Sequence, residues 1–195
     1  MKWNDVTLNQ FLKMKEIVQI EDETDRMLSL MELFFGENVV NLPVAEFNKK
    51  AKELSFLSTE VPDNHIVKSA TINGRKYKID ALLGHISTAQ YVDFNNYAKE
   101  EGNTDKMLAV FFVPEGHKYN DGYDMLQVIQ DMGDLPIDIA LSECFFFRRQ
   151  FSKFIQIFQR SFSKTIEKSE IPKEMKKVLK EQVHLLNNLE FSLLS

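Results

Sequence analysis

From Ile137 to Lys168 the chain runs without a single glycine or proline. Nothing in that stretch interrupts a helix, and at ~1.5 Å rise per residue an unbroken one would be about 45 Å long. A helix of that length argues for a mainly helical architecture over a strand-and-turn one. The rest of the chain agrees: 7 glycines and 5 prolines in 195 residues supply too few turn residues for an all-β fold.

Within the run, Phe147, Phe151, Phe154, Phe158 and Phe162 recur at three- and four-residue spacing, which sets them on one stripe of an α-helix. Phe145, Phe146 and Ile155 lie off the stripe and widen it. The chain has 16 phenylalanines against 5 tyrosines and 1 tryptophan, so much of its aromatic area carries no polar atom to satisfy. The stripe can be core, packed against a neighbouring helix. It can also be a surface completed by another subunit or client, as exposed apolar patches often are. The spacing leaves both open.

The same helix carries Arg148, Arg149, Lys153, Arg160 and Lys164, with no acidic residue between Cys144 and Ile166. Residues 136–195 hold ten basic and seven acidic residues (+3), residues 1–135 fourteen and twenty-two (−8), giving the net −5. Five cations on one helical segment could contact phosphates, yet the acidic balance and the missing nucleic-acid motifs argue for a solvated face or an acidic protein partner. The residues picked out for partner binding are Phe147, Phe151, Phe154, Phe158, Phe162, Arg148, Arg149 and Lys153.

Ahead of the rod, capping chemistry marks further helices. Thr7 caps one running to about Ile20. The acidic segment Glu21–Asp25 opens a second that stops at Gly36, and Pro43 suits the first turn of a third, Val44 to Leu57. The pattern then changes: residues 67–72 and 75–79 read as two strands around Asn73-Gly74, a dipeptide suited to a turn with positive φ at both positions. Ser87 and Gln90 form a capping box for a helix to Glu101. Another helix spans Asp105 to Val113, residues 115–124 a loop, and residues 123–132 a helix broken by Gly133. Pro172 opens a last helix to Leu194, pairing with the rod as an antiparallel hairpin. The expected fold is mainly α (α+β): a helical bundle with one small β-hairpin near 67–79 and a long C-terminal helical hairpin. Residues 1–135 form a helical domain with the hairpin inserted, and 136–195 pack on it.

Catalytic and metal chemistry finds no foothold. His65, His85, His117 and His184 are scattered without partners at ligand spacing. Asn120-Asp121-Gly122-Tyr123-Asp124 has calcium-loop residue types but lacks the alternating ligands and the terminal glutamate, and reads as a turn. No phosphate-binding loop or nucleophile elbow occurs. Cys144 lies in a phenylalanine run, the setting of a small buried residue; one cysteine forms no internal disulfide, which fits a reducing compartment. The N-terminus has no signal-peptide core, and no segment approaches the ~20 apolar residues of a membrane span. No enzyme activity and no cofactor is expected.

Several stretches, taken in order, carry a resemblance. They are Trp3-Asn4-Asp5-Val6-Thr7-Leu8 with Phe11, Leu42-Pro43-Val44-Ala45-Glu46-Phe47 leading into Leu54-Ser55-Phe56-Leu57, Ile72 to Ile79, Ile86 to Phe94, and Ala109 to Pro114 continuing through Tyr119. Residues 1–150 in this order resemble the tail assembly chaperone-like proteins of tailed bacteriophages. The resemblance implies binding to other tail or neck proteins, with the tape measure or tube protein as client, and no catalysis. It places the protein in the host cytoplasm during assembly. The C-terminal helical pair is longer than that family suggests, which keeps open a virion component such as a connector-ring or tail-lumen protein. Self-association is a further partner option; nucleic acid and membrane are disfavoured.

Overall fold

The computed structural model describes residues 1–36, 39–63, 65–79, 86–100, 102–168 and 172–178, with all their side chains except those of residues 148, 151–163 and 165. Local capping chemistry starts most of the helices. Helix α1 (Leu8–Ile17) follows a reciprocal box: Thr7 Oγ1 accepts from the Gln10 amide at 3.2 Å, and Gln10 Oε1 accepts from the Thr7 amide at 3.0 Å. Helix α2 (Glu23–Phe35) begins where the Asp22 carboxylate accepts from the Asp25 amide, and ends at Gly36 with φ 89°. Helix α3 (Val44–Glu53) follows Pro43 and tightens into a 3-10 turn, Leu54–Ser58, over residues expected to continue the helix.

Strands β1 (Ser69–Ile72) and β2 (Arg75–Ile79) pair antiparallel with Ile72 opposite Arg75. Asn73 (φ 50°) and Gly74 (φ 75°) both take left-handed conformations between them, as the dipeptide requires. A third strand corrects the expected helix over Asp105–Val113. Helix α5 covers only Thr104–Ala109, and β3 (Phe112–Pro114) adds to β2 in the order β1-β2-β3. The reason lies in Val110-Phe111-Phe112-Val113: β-branched and aromatic residues suit a strand, and the residue before Pro114 is pushed away from helical geometry. The open edge of β2 supplies the partner.

Between them lies α4 (Thr88–Tyr97), opened by the Ser87–Gln90 box. It stops short of Glu101 because its end loosens: Lys99 and Glu100 reach back only three residues, at 3.4 Å each. Helix α6 (Met125–Gly133) is capped by Asp124, which accepts from the Leu126 and Gln127 amides. Gly133 is its last residue rather than a break before it.

Helix α7 (Ile137–Lys168) is one continuous helix of 32 residues. Its first turns are core. Ile137, Ala140, Leu141, Cys144 and Phe147 cluster with Trp3, Val6, Leu8, Tyr77, Phe94, Phe111 and Met132. Phe147 stacks on Phe111 with ring centroids 3.8 Å apart. The start of the chain is stitched to the same place, Leu8 donating to the Leu135 carbonyl and Ile137 to that of Val6. Residues on both sides of position 136 therefore share one core. A smaller cluster, Met31, Val39 and Leu54, sits between α2 and α3. Beyond α7, residues 173–178 are helical, and Lys176 Nζ donates to the Glu167 carbonyl at 3.0 Å. The remainder of the expected last helix lies outside the described residues. Among those described, no helix is long and apolar enough to cross a membrane.

Candidate functional site

The residues singled out for partner binding all fall on α7, and the first of them, Phe147, belongs to the core. Phe147 is 1% exposed and serves the interior. Phe145 and Phe146 are half-buried against the same core, and Arg149 is exposed. The side chains of Arg148, Phe151, Lys153, Phe154, Phe158 and Phe162 lie outside those described, although the backbone is helical at every one of these positions. From residue 148 to 168 the helix runs on for about 30 Å. Near its end Ile166 is buried while Lys164, Glu167 and Lys168 are exposed.

The titratable chemistry of the interior sits elsewhere. Asp131, on α6, is fully buried and receives Arg75 Nε at 2.6 Å and Nη2 at 2.5 Å, Asn73 Nδ2 at 3.0 Å and the Tyr77 hydroxyl. Four donor groups from three hairpin residues thus converge on one carboxylate. Chiefly the Arg75 guanidinium, with help from Tyr77 and Asn73, holds the Asp131 carboxyl well below the usual carboxylate range. Burial first, then Asp131, pushes the Tyr77 phenol up to about 12. This constellation fastens the β1–β2 turn to α6 and leaves no oxygen of Asp131 free for chemistry.

A second group of polar side chains faces the extended segment before β1. His65 donates its backbone N–H to Ser142 Oγ at 2.9 Å, and Val67 donates to Glu143 Oε1 at 2.8 Å. The His65 ring approaches Asp138 with Nδ1 at 3.0 Å from Oδ2. Serine, histidine and aspartate in proximity invite comparison with a hydrolase triad, but the roles are wrong. Ser142 Oγ accepts from backbone and donates to the Asp138 carbonyl at 2.5 Å, so the imidazole does not activate it. The three α7 side chains act as a clamp on residues 65–67. Among the described residues Glu143 Oε2 is buried without a hydrogen-bond partner, and burial raises its carboxyl above the usual range. Its neighbour Cys144 is buried too, its thiol pushed up to about 12 by burial and by Glu143, which suits a packed thiol and not a nucleophile.

The Asn120–Asp124 segment forms the expected turn, with Asn120 at φ 61° and Gly122 at φ 75°, and Asp124 is spent on the α6 cap. Among the described residues no group of three or more His, Cys, Asp or Glu is arranged to hold a metal ion. Asp131 and Glu143 are not among the candidate residues that the sequence patterns give. Their signal was available: each is an acidic residue among apolar ones, Asp131 beside Met132 and a turn from Val128, Glu143 between Ala140 and Phe147. A carboxylate on an apolar face needs a partner.

No protein-family model matches the chain, and neither does any curated protein or solved structure. The fold is that of a mainly helical α+β protein with a three-stranded antiparallel sheet.

Proposed function

We propose that the chain is a non-enzymatic assembly protein of tailed-phage particles that binds other tail or neck proteins, with the tape measure or tube protein as client. The observation that carries this reading is α7. Its head is locked into the core through Phe147, and its remaining length carries in sequence a phenylalanine stripe beside an acid-free basic run. A helix rooted in the core that continues for a further 21 residues offers an elongated ridge to a helical client. The buried polar groups support it, since Asp131, Asp138 and Glu143 hold backbone and hairpin in place. The order of motifs over residues 1–150 supplies the class of partner.

Co-expression tests the proposal. The chain should raise the soluble yield of the tape measure or tube protein, and Phe154→Ala with Phe158→Ala should abolish that gain while leaving the helical circular dichroism of the isolated chain intact. If no tail protein changes in solubility or is retained by the chain, the proposal fails. The same long helix also suits a permanent virion component, a connector-ring or tail-lumen protein. Mass spectrometry of purified particles separates the two: stoichiometric copies indicate a component, traces a chaperone.

A further inference from the structure

On the opposite side of the sheet from Tyr77 lies a cavity of about 450 Å³, within the roughly 300–1,000 Å³ typical of small-molecule sites. Its construction follows from strand register. Lys78 stands opposite Val113 across β2 and β3, so both leave the sheet on the face away from Tyr77 and Ile79. Val113 and Gln90 are buried and line its floor, Val113 supplying apolar surface. The loop His117-Lys118-Tyr119 forms one wall and is held firmly. His117 donates its amide to the Pro114 carbonyl at 3.1 Å, its ring meets Tyr123 edge-on at 5.8 Å, and the Tyr119 hydroxyl donates to Asp93 Oδ2 at 2.7 Å. Ser87 lines the remaining side.

Among the described residues, the donors that Lys78, Lys118 and Ser87 bring to this lining are unspent, whereas the Tyr119 hydroxyl goes to Asp93. Two residues before Lys78, Lys76 pairs with Glu115 at 2.7 Å. Among the described residues Lys78 and Lys118 have no acidic partner, and no carboxylate lines the cavity. That is a notable concentration of positive charge in a chain of net charge −5. Ser87 Oγ accepts from the Gln90 amide and keeps its own proton to give. Gln90 is not a ligand: its carbonyl oxygen takes the Ser87 amide and its amide group goes to the Val110 carbonyl. Two ammonium groups, an imidazole and a hydroxyl around an apolar floor match an oxyanion on a small organic body.

We propose that this cavity binds a small phosphate-bearing ligand, its phosphate held by Lys78, Lys118, His117 and Ser87 and its body against Val113 and Tyr119. This inference does not rest on the assembly reading, and its test uses the isolated full chain. At low ionic strength, amide spectra are titrated with inorganic phosphate, adenosine monophosphate and adenosine. At least one phosphate probe should shift the amides of residues 87–90 and 117–119 saturably, with a dissociation constant of about 1 mM or below, and adenosine should not. Lys78→Ala with Lys118→Ala, both exposed positions, should leave the circular dichroism unchanged and weaken binding by about tenfold or more. Saturation by neither phosphate probe, an equal response to adenosine, or unaltered binding by the folded double variant each overturns the proposal.

Discussion

Asp131 and Glu143 are both 0% exposed, yet their surroundings give them opposite dependence on pH. Asp131 is held ionised by Arg75, so its carboxyl is depressed in the folded state. The stability it contributes is complete above the ordinary carboxylate value near 3.9 and drains away as pH falls through the folded value. Asp131→Asn should cost about 3 kcal/mol at neutral pH, because it leaves the Tyr77 hydroxyl and the Arg75 fork poorly matched. Urea denaturation from pH 6 to pH 2 should show a shallower acid decline for this variant than for the parent. Glu143 is the reverse case. Burial raises its carboxyl, so the folded state holds the proton more tightly than the unfolded chain does. Its contribution is best below the unfolded value and is lost as pH rises through the folded one. Glu143→Gln keeps an oxygen for the Val67 amide and discards the charge. Its urea midpoint at pH 7 should rise above the parent's, while at pH 4 the two converge; a lower midpoint at pH 7 would show that the carboxylate is not penalised by burial.

Helix packing turns on one position that looks like punctuation. Gly133 ends α6 with ordinary helical backbone, and a Cβ there would stand 2.3 Å from Asn9 Nδ2 and 2.7 Å from Asn9 Cγ on α1. Alanine is the better helix former by about 1 kcal/mol, but overpacking against Asn9 opposes it by about 1–3 kcal/mol. Gly133→Ala alone should therefore lower the melting temperature, and in an Asn9→Ala background the same change should raise it. Equal effects in both backgrounds would mean that the contact is not what excludes a side chain. The distinction between local and distant causes also explains what was legible in the sequence. Thr7 with Gln10, Ser87 with Gln90 and Asn73-Gly74 announce their structures because each is settled within a few residues. Residues 112–113 read as helix in sequence because the partner of β3, β2, lies more than thirty positions away. The same distance hides the Asp131 anchor, drawn from the hairpin and α6, and the cationic cavity, gathered from residues 78, 87 and 117–118. The stripe on α7 was legible as a helical face, but spacing alone could not show that Phe147 turns inward.

Across the whole molecule the two hydrophobic clusters share members: Phe34, Phe56 and Leu57 pack against both. Trp3 stands at this seam. Its ring meets Phe56 edge-on at 5.1 Å and Phe11 at 6.2 Å, and its indole N–H donates to the Thr59 hydroxyl and carbonyl. Phe56 in turn contacts Phe34 on α2 at 6.1 Å. Because the larger cluster also contains Ile137 and Phe147, the seam joins the α2–α3 unit to the root of α7. Such sharing predicts one cooperative transition and not two, since neither cluster can open without exposing the rings it holds in common. The chain has a single tryptophan, so Trp3 fluorescence reports the seam while far-UV circular dichroism reports the helices at large. In urea the two curves should coincide. Phe56→Ala should shift both to lower denaturant together, by about 2 kcal/mol, less than a fully buried phenylalanine costs because Phe56 is partly exposed. Fluorescence that changes well before the helical signal would show instead that the α2–α3 unit parts from the core on its own, and that α7 is anchored without it.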